Sequence, residues 1–515
     1  MDHSIYVSEF LLDGFDPSAK DRSINQPARF LPFNFGLNKT TVSKMSIILL
    51  NAMKNLARKS SLLLAVLYLG WLAGAFSDQA QANPSTLKTR PSPDWLASSV
   101  VYEIFPRNFS QAGDLNAITA RLDELNDLGF NILWLMPIHP TGEKLQKGSL
   151  GSPFAVRDFY AINPAYGTTN DFKQLVAQAH QRNMKVVMDI VAGQTSWDSV
   201  LMAHPEFYLK DTNGNITPPD PAWKDVAGLD YTNPDVRHYM IDMMKYWLTD
   251  YNVDGFRCDV APNVPLDFWE QARAELEKVN SQVIILADAG AKPELLTNAF
   301  DIDSSWSMNY AVDMVMNGLQ PASYIPDSWN HTDEQFPDKC LHLRFTDSHE
   351  QPRAVARYGL SGALAAQILM LTLDGVPLFY NGMEVGDATE SADPALFEKM
   401  PVFWNPGGRP PLRTIYHDLI KLRKQNPALC TGTVEWLDNT ATNQVVSFLR
   451  KDDKNEFLVL INFSSSVVLG SVTLDAADGF EPVSIGDQPR PIDTSLPNFK
   501  LNSYSWYIFH QAISK

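Results

Sequence analysis

Short apolar runs alternate with longer amphipathic stretches between residues 95 and 428. The runs have the length of buried strands, and the stretches between them have the periodicity of helices packed on a sheet. Eight runs match the strand number of a closed parallel barrel, and they cover 100–105, 132–137, 185–191, 253–259, 283–288, 299–303, 341–346 and 376–380. The helices expected between them include 115–128, 169–182, 234–251 and 266–278. The pattern predicts an α/β fold, a (β/α)8 TIM barrel over 95–428.

The pattern changes after residue 428 to alternating segments such as 445–449, 456–463 and 503–509. Alternation of this kind is typical of antiparallel strands with one face in water. We therefore predict a C-terminal β-sandwich over 429–515. A turn-rich insertion at 196–230 follows the third strand, and we expect it to form one wall of a cleft.

The N-terminal region has the order of a secretory signal peptide over 53–82. Basic residues after Met53 precede an apolar run over 62–76, and Ala80-Gln81-Ala82 follows as a cleavage site. The run is shorter than a typical membrane span, which leaves a permanent anchor as the alternative. We expect a periplasmic or secreted protein. Residues 1–52 are then an extra N-terminal extension, with Met53 or Met45 as the true start.

The composition narrows the choice of partners. The formal net charge is −17, which disfavours nucleic acid and anionic membranes and fits a neutral substrate. We expect no membrane contact after signal cleavage. The three cysteines match no metal-binding spacing, although an exported chain permits one disulfide, and we place no chemistry on sulfur.

Acidic residues stand at the ends of several predicted strands or just after them: Asp189, Asp259, Asp288, Asp347 and Glu350. The C-terminal ends of barrel strands converge on one pocket, so these side chains are candidates for catalysis. Any one of them has the ordinary alternative of a helix cap or turn residue. Arg257 precedes Asp259 by two positions and shares its direction along the strand, which favours an ionised Asp259.

Facing carboxylates suit the cleavage of glycosidic bonds, where one attacks the anomeric carbon and the other protonates the departing oxygen. Other chemistries find less support. The chain contains no Gly-x-Ser-x-Gly elbow, phosphate loop or His-Glu-x-x-His motif, and no predicted strand ends in a lysine.

Several segments carry a resemblance to a known family: Gly255-Phe256-Arg257-Cys258-Asp259, Gly142-Glu143-Lys144, Lys147 to Pro153, Ile162 to Thr168, Leu229 to Pro234 and Gly375 to Gly382. They resemble motifs of the α-amylase family of glycoside hydrolases, closest to bacterial amylases, neopullulanases and cyclomaltodextrinases. The similarity covers about 95–510. It implies that Asp259 is the nucleophile, Arg257 its partner and His349 a ligand of a substrate hydroxyl.

Several positions carry a different residue from the one that the family has there. The resemblance implies the family role for each of them, performed by a different side chain. Asp288 stands where the family has a Glu as general acid, and Glu350 stands where it has an Asp as third carboxylate. Gln194 replaces a sugar-binding His. Phe154 replaces a Tyr that stacks on the innermost sugar. Gly193 replaces an Asn that often binds calcium. We therefore expect no cofactor, with calcium as a disfavoured alternative.

The resulting hypothesis is a glycoside hydrolase or transglycosylase of carbohydrate metabolism that acts on α-linked glucans or maltooligosaccharides. Catalysis is assigned to Asp259, Asp288 and Glu350, and substrate binding to Arg257, His349, Gln194 and Phe154. Asp288 is one methylene shorter and Glu350 one methylene longer than the family residues at these positions. These paired changes are compatible with an active site adapted to another substrate, linkage or acceptor. The alternative is a catalytically attenuated glucan-binding protein. An exported interaction protein that uses the barrel surface is a third possibility.

Overall fold

The computed structural model describes residues 87–513, apart from 291, 334, 406–411, 476 and 487–494. The extension 1–52 and the predicted signal peptide 53–82 lie outside the described residues. The boundaries predicted for the domains stay predictions.

The strands, in chain order, are β1 (Val101–Ile104), β2 (Ile132–Leu135), β3 (Lys185–Ile190), β4 (Gln194–Ser196), β5 (Val226–Gly228), β6 (Gly255–Cys258), β7 (Ile284–Ala287), β8 (Ile302–Ser304), β9 (Leu341–Arg344), β10 (Val376–Tyr380), β11 (Thr433–Trp436), β12 (Val445–Lys451), β13 (Asn455–Asn462), β14 (Val468–Ser471), β15 (Glu481–Pro482), β16 (Asn498–Leu501) and β17 (Trp506–Ala512). Eight of them close a barrel in the order β1-β2-β3-β6-β7-β8-β9-β10, with β10 pairing back onto β1. All pairs around this barrel are parallel. The predicted TIM barrel is confirmed.

The barrel strands read as apolar runs because they are covered on both faces. Alternate side chains fill the barrel interior, as Val101, Ile132 and Val187 do. Their neighbours along the strands, such as Leu133 and Val186, pack outward against the helices. This two-sided core fixes the strands and so fixes the positions of the residues at their C-terminal ends.

The α-helices are Pro106–Phe109, Leu115–Thr119, Leu122–Leu128, Thr169–Gln181, Pro234–Asp250, Leu266–Val279, Leu295–Asn298, Trp306–Met316, Tyr324–Asp333, Ala354–Thr372, Asp393–Phe397, Leu412–Gln425 and Pro427–Cys430. Short 3-10 turns lie at Leu96–Ser98, Val200–Ala203, Pro205–Phe207, Ala261–Asn263 and Met383–Val385. Local sequence starts several helices. For example, Thr168 and Asp171 form a reciprocal capping box, and Asn233 caps a helix that has Pro at its first position.

One helix prediction was wrong in detail, because 115–128 forms two helices and not one. The first ends at Thr119, and the second begins after Arg121, whose backbone is not helical. The guanidinium carbon of Arg121 lies 3.7 Å from the ring centroid of Trp404. A tertiary contact of this kind is invisible to helical periodicity.

The helix Ala354–Thr372 is, in the part of the chain that the structure describes, the one long and apolar enough to cross a membrane. Its backbone is interrupted at Gly359, where φ is 71°. Most of its second half, including Ile368 and Leu369, is buried in the core of the barrel domain. The packing explains the apolar composition without a membrane.

The C-terminal region contains a five-stranded antiparallel sheet in the order β11-β12-β13-β17-β15 and a separate two-stranded sheet of β14 and β16. Apolar residues from both sheets, such as Leu458, Phe499 and Leu501, form one buried cluster. The predicted antiparallel C-terminal module is confirmed. Arg450 of β12 donates from Nη1 to the carbonyl of Thr372 at 2.7 Å, which ties this module to the barrel.

The insertion after β3 contains the antiparallel pair β4 and β5 and two of the 3-10 turns. Lys147 from the loop after β2 lies 3.2 Å from Asp225 of the insertion, so the two loops are joined at the same end of the barrel. All three cysteines, Cys258, Cys340 and Cys430, are free thiols. The one disulfide that export permitted is therefore not formed.

Candidate active site

Four of the predicted carboxylates meet at the C-terminal end of the barrel. Asp189 is the next-to-last residue of β3, and Asp259 and Asp288 directly follow β6 and β7. Glu350 lies in the loop after β9. The four residues are spread over 189–350 in the chain, and the closure of the barrel brings their side chains together.

Arg257 is the centre of this group. Its Nη1 lies 3.0 Å from both carboxylate oxygens of Asp189 and donates to Asp259 Oδ1 at 2.9 Å. Its Nη2 lies 2.8 Å from Asp288 Oδ2 and 3.6 Å from Glu350 Oε1. The guanidinium is 2% exposed, so it carries one buried positive charge among four carboxyl groups.

Burial and crowding set the ionisation of these groups. Burial raises the pKa of Asp189 to about 6, against the lowering effect of Arg257. Burial likewise raises the pKa of Asp259 to about 7, with Arg257 again opposing and Asp189 and Asp288 adding to the rise. One guanidinium is too little charge to keep every neighbour ionised, so the site retains protons near neutral pH.

His349 completes the inner surface of the site. Its Nδ1 lies 2.6 Å from Glu103 Oε1, and its backbone N–H donates to the same oxygen at 3.3 Å. Burial lowers the pKa of His349, but the Glu103 carboxylate outweighs this effect and raises the pKa to about 9. Phe154 stacks on the imidazole with ring centroids 5.3 Å apart and an interplanar angle of 29°. The structure therefore places His349 and Phe154 in the predicted site.

Two predicted residues lie apart from the guanidinium contacts. Gln194 is the first residue of β4 and pairs with Gly228, and its side chain is buried. Its role in sugar binding stays a prediction. Asp347 accepts a hydrogen bond from the backbone N–H of Ala354, the first residue of a helix whose N-cap is Arg353, so it supports this helix start from seven residues away and is not itself the cap.

Sequence reasoning missed four residues that shape the site. Glu103 is fully buried in β1, where an acid inside an apolar run was an available signal. Trp134 donates from Nε1 to Asp189 Oδ2 at 3.2 Å, and Trp306 donates to Asp288 Oδ1 at 3.4 Å. Val260 adopts a left-handed backbone with φ of 40°, which no sequence pattern announces.

The expectation of no cofactor stays a prediction, and the structure bears on it at the position implied for calcium. Gly193 has no side-chain oxygen, and its carbonyl accepts a hydrogen bond from the N–H of Leu229 at 3.0 Å. Within the described part of the chain, no group of three His, Cys, Asp or Glu side chains could hold a metal ion.

The geometry has one clear chemical meaning. Asp259 presents a carboxylate fixed by an arginine, and other carboxyl groups stand on the same guanidinium to supply or receive a proton. A closed barrel with this arrangement at the C-terminal ends of its strands is the framework of a glycosidase, an enzyme that acts on O-glycosyl bonds.

The model of the α-amylase catalytic domain matches residues 94–211 and 221–414, which is more than half of the chain. The chain belongs to the α-amylase family. The stretch between the two matched segments falls within the turn-rich insertion.

Individual relatives agree with this assignment. The chain is 26% identical to the α-amylase MalA of Haloarcula japonica, over 73% of this chain and 56% of that protein. It is 27% identical to the intracellular maltogenic amylase of Bacillus subtilis, over 73% and 70% of the two chains. A solved structure, the noncanonic maltogenic α-amylase AmyB of Thermotoga neapolitana, superposes with a TM-score of 0.73 at 31% identity, over 81% of this chain and 100% of the other.

Proposed function

We propose that this protein hydrolyses or transfers α-linked glucosyl units of glucans and maltooligosaccharides, with Asp259 as the nucleophile. The observation that carries the proposal is the 2.9 Å contact between Arg257 Nη1 and Asp259 Oδ1 at the end of β6. The contact fixes the carboxylate and favours its ionised form. The relatives named above support the substrate class, since they are amylases.

A product profile on starch, maltooligosaccharides, cyclodextrins and pullulan tests this function. We expect the protein comprising residues 83–515 to release reducing sugar or transfer products from one of these substrates. We expect the Asp259→Asn variant to release neither. Asn has the size of Asp, so folding of the variant, checked by circular dichroism, separates lost chemistry from lost structure. Sugar binding without turnover in the parent protein would instead support the glucan-binding alternative.

We further propose that the chain is exported. The support is the order of basic, apolar and small residues over 53–82. The Bacillus subtilis relative is named an intracellular enzyme, which counts against export. N-terminal sequencing of protein recovered from the periplasm or medium tests the proposal, with Asn83 as the expected first residue. Recovery of the chain from the cytosol alone would contradict it.

A further inference from the structure

The carboxylates of Asp288 and Glu350 are bound in opposite ways. Asp288 is held by two close donors, since Oδ2 receives Arg257 Nη2 at 2.8 Å and the N–H of Val260 at 3.1 Å, and Trp306 Nε1 makes a longer contact with Oδ1 at 3.4 Å. Its side chain is 11% exposed. Each donor that approaches a carboxylate stabilises its ionised form and so disfavours a proton there.

The left-handed turn at Val260 is part of this arrangement. A β-branched residue at φ of 40° and ψ of 53° is strained, and the surrounding structure must maintain it. The turn follows Asp259 directly. The Val260 N–H donates a hydrogen bond to Oδ2 of Asp288, which follows the neighbouring strand β7. The strained backbone thus supplies a fixed donor to the Asp288 carboxylate. Although burial opposes ionisation, Arg257 and this N–H lower the pKa of Asp288.

Glu350 is held weakly by comparison. Its Oε1 lies 3.6 Å from Arg257 Nη2 and 3.4 Å from His349 Nε2, both beyond an ordinary hydrogen bond. Its side chain is 34% exposed, three times more than that of Asp288. Partial burial and the negative charge of Asp288 raise the pKa of Glu350 to about 7, against the lowering effects of His349 and Arg257.

The charge balance then indicates where a proton resides. One guanidinium faces four carboxyl groups, and the His349 charge is matched by Glu103. The carboxyl group with the poorest donors and the best access to the cleft keeps its proton, and that group is Glu350. Its chain is also one methylene longer than that of Asp288, which gives it the greater reach.

We propose that Glu350 is the general acid and base of this enzyme, and that Asp288 serves as a fixed negative charge beside Asp259. The assignment rests on the proposed function. It reverses the roles that the family resemblance implies for these two positions.

The reaction balances with these groups. A carboxylate oxygen of Asp259 bonds to the anomeric carbon while the bond from that carbon to the glycosidic oxygen breaks. The electrons of the broken bond remain on the leaving oxygen, which takes the proton of Glu350. In the second step, Glu350 takes a proton from water or a sugar hydroxyl as that oxygen attacks the anomeric carbon, and the Asp259 ester bond breaks.

Leaving-group dependence distinguishes an acid from a fixed charge. The matched variants are Glu350→Ala and Asp288→Ala, with Asp288→Asn retaining an acceptor for Val260. Each is assayed on maltotriose and on α-maltosyl fluoride, whose leaving group needs no proton, with and without azide. Azide replaces the base-assisted water and forms a glycosyl azide.

We expect Glu350→Ala to lose about 10²- to 10⁴-fold in kcat on maltotriose. It still releases a first equivalent of fluoride at near the parent rate, and azide restores steady turnover. The Asp288 variants lose activity on both substrates alike, and azide does not help. A merely structural role for Glu350 would give equal losses on both substrates.

The assignment would be overturned if the Asp288 variants kept near-parent activity on α-maltosyl fluoride and recovered turnover with azide. The proposed function would remain intact in that case. If those variants do not fold, Glu350→Ala decides alone, and equal loss on both substrates without rescue overturns it. A parent protein that turns over neither substrate overturns the proposed function and this assignment with it.

Discussion

The buried pair of Glu103 and His349 makes stability depend on pH in a defined window. His349 is 3% exposed, and Glu103 raises its pKa from 6.5 in an unfolded chain to about 9. Because the pKa is raised on folding, the stabilisation is fully present below pH 6.5 and is lost as the pH rises through about 9. Each pKa unit corresponds to about 1.4 kcal/mol, so the rise from 6.5 to about 9 adds about 3 kcal/mol to the free energy of unfolding below pH 6.5.

The perturbation is Glu103→Gln, which keeps the size and an acceptor for His349 while removing the charge. We expect the variant to unfold at a lower temperature than the parent at pH 6, and this difference to shrink toward pH 9.5. The pKa of His349, followed by NMR and assigned with His349→Asn, falls below 6.5 in the variant.

Glu384→Gln is the matched control. Glu384 is also buried, and it accepts a hydrogen bond from the hydroxyl of Tyr102 at 2.6 Å, a partner that does not titrate in this window. Because burial raises the pKa of Glu384 itself, the comparison runs from pH 7 to 9.5, where the stability loss of Glu384→Gln stays constant. A Glu103→Gln loss that is equally constant, or an unchanged pKa of His349, would refute the electrostatic reasoning.

Two other predictions follow from the geometry. The pH profile of kcat/KM is a narrow bell near pH 7, because activity falls on the acidic side as Asp259 takes a proton and on the basic side as Glu350 loses one. Glu350→Gln removes the basic limb, and a limb that persists in this variant would contradict the assignment. Iodoacetamide alkylates Cys340 before Cys258 and Cys430, which are buried, and peptide mass spectrometry would reveal any other order.

The sequence alone determined the barrel, because eight apolar runs and the helical stretches between them leave few other ways to bury so much apolar surface. It also indicated that Asp189, Asp259, Asp288 and Glu350 converge, since strand ends of a barrel share one face. The helical periodicity also predicted the starts at 115, 169, 234 and 266, which agree with the structure.

Tertiary structure decided how the converging groups are bound. No spacing in the chain shows that Arg257 contacts four carboxyl groups, or that Glu103 of the first strand binds His349 in the loop after the seventh. Periodicity reports which face of a strand a residue occupies, but the donors around a carboxyl group come from other strands. The choice between Asp288 and Glu350 as the proton donor therefore depends on contacts made across the barrel.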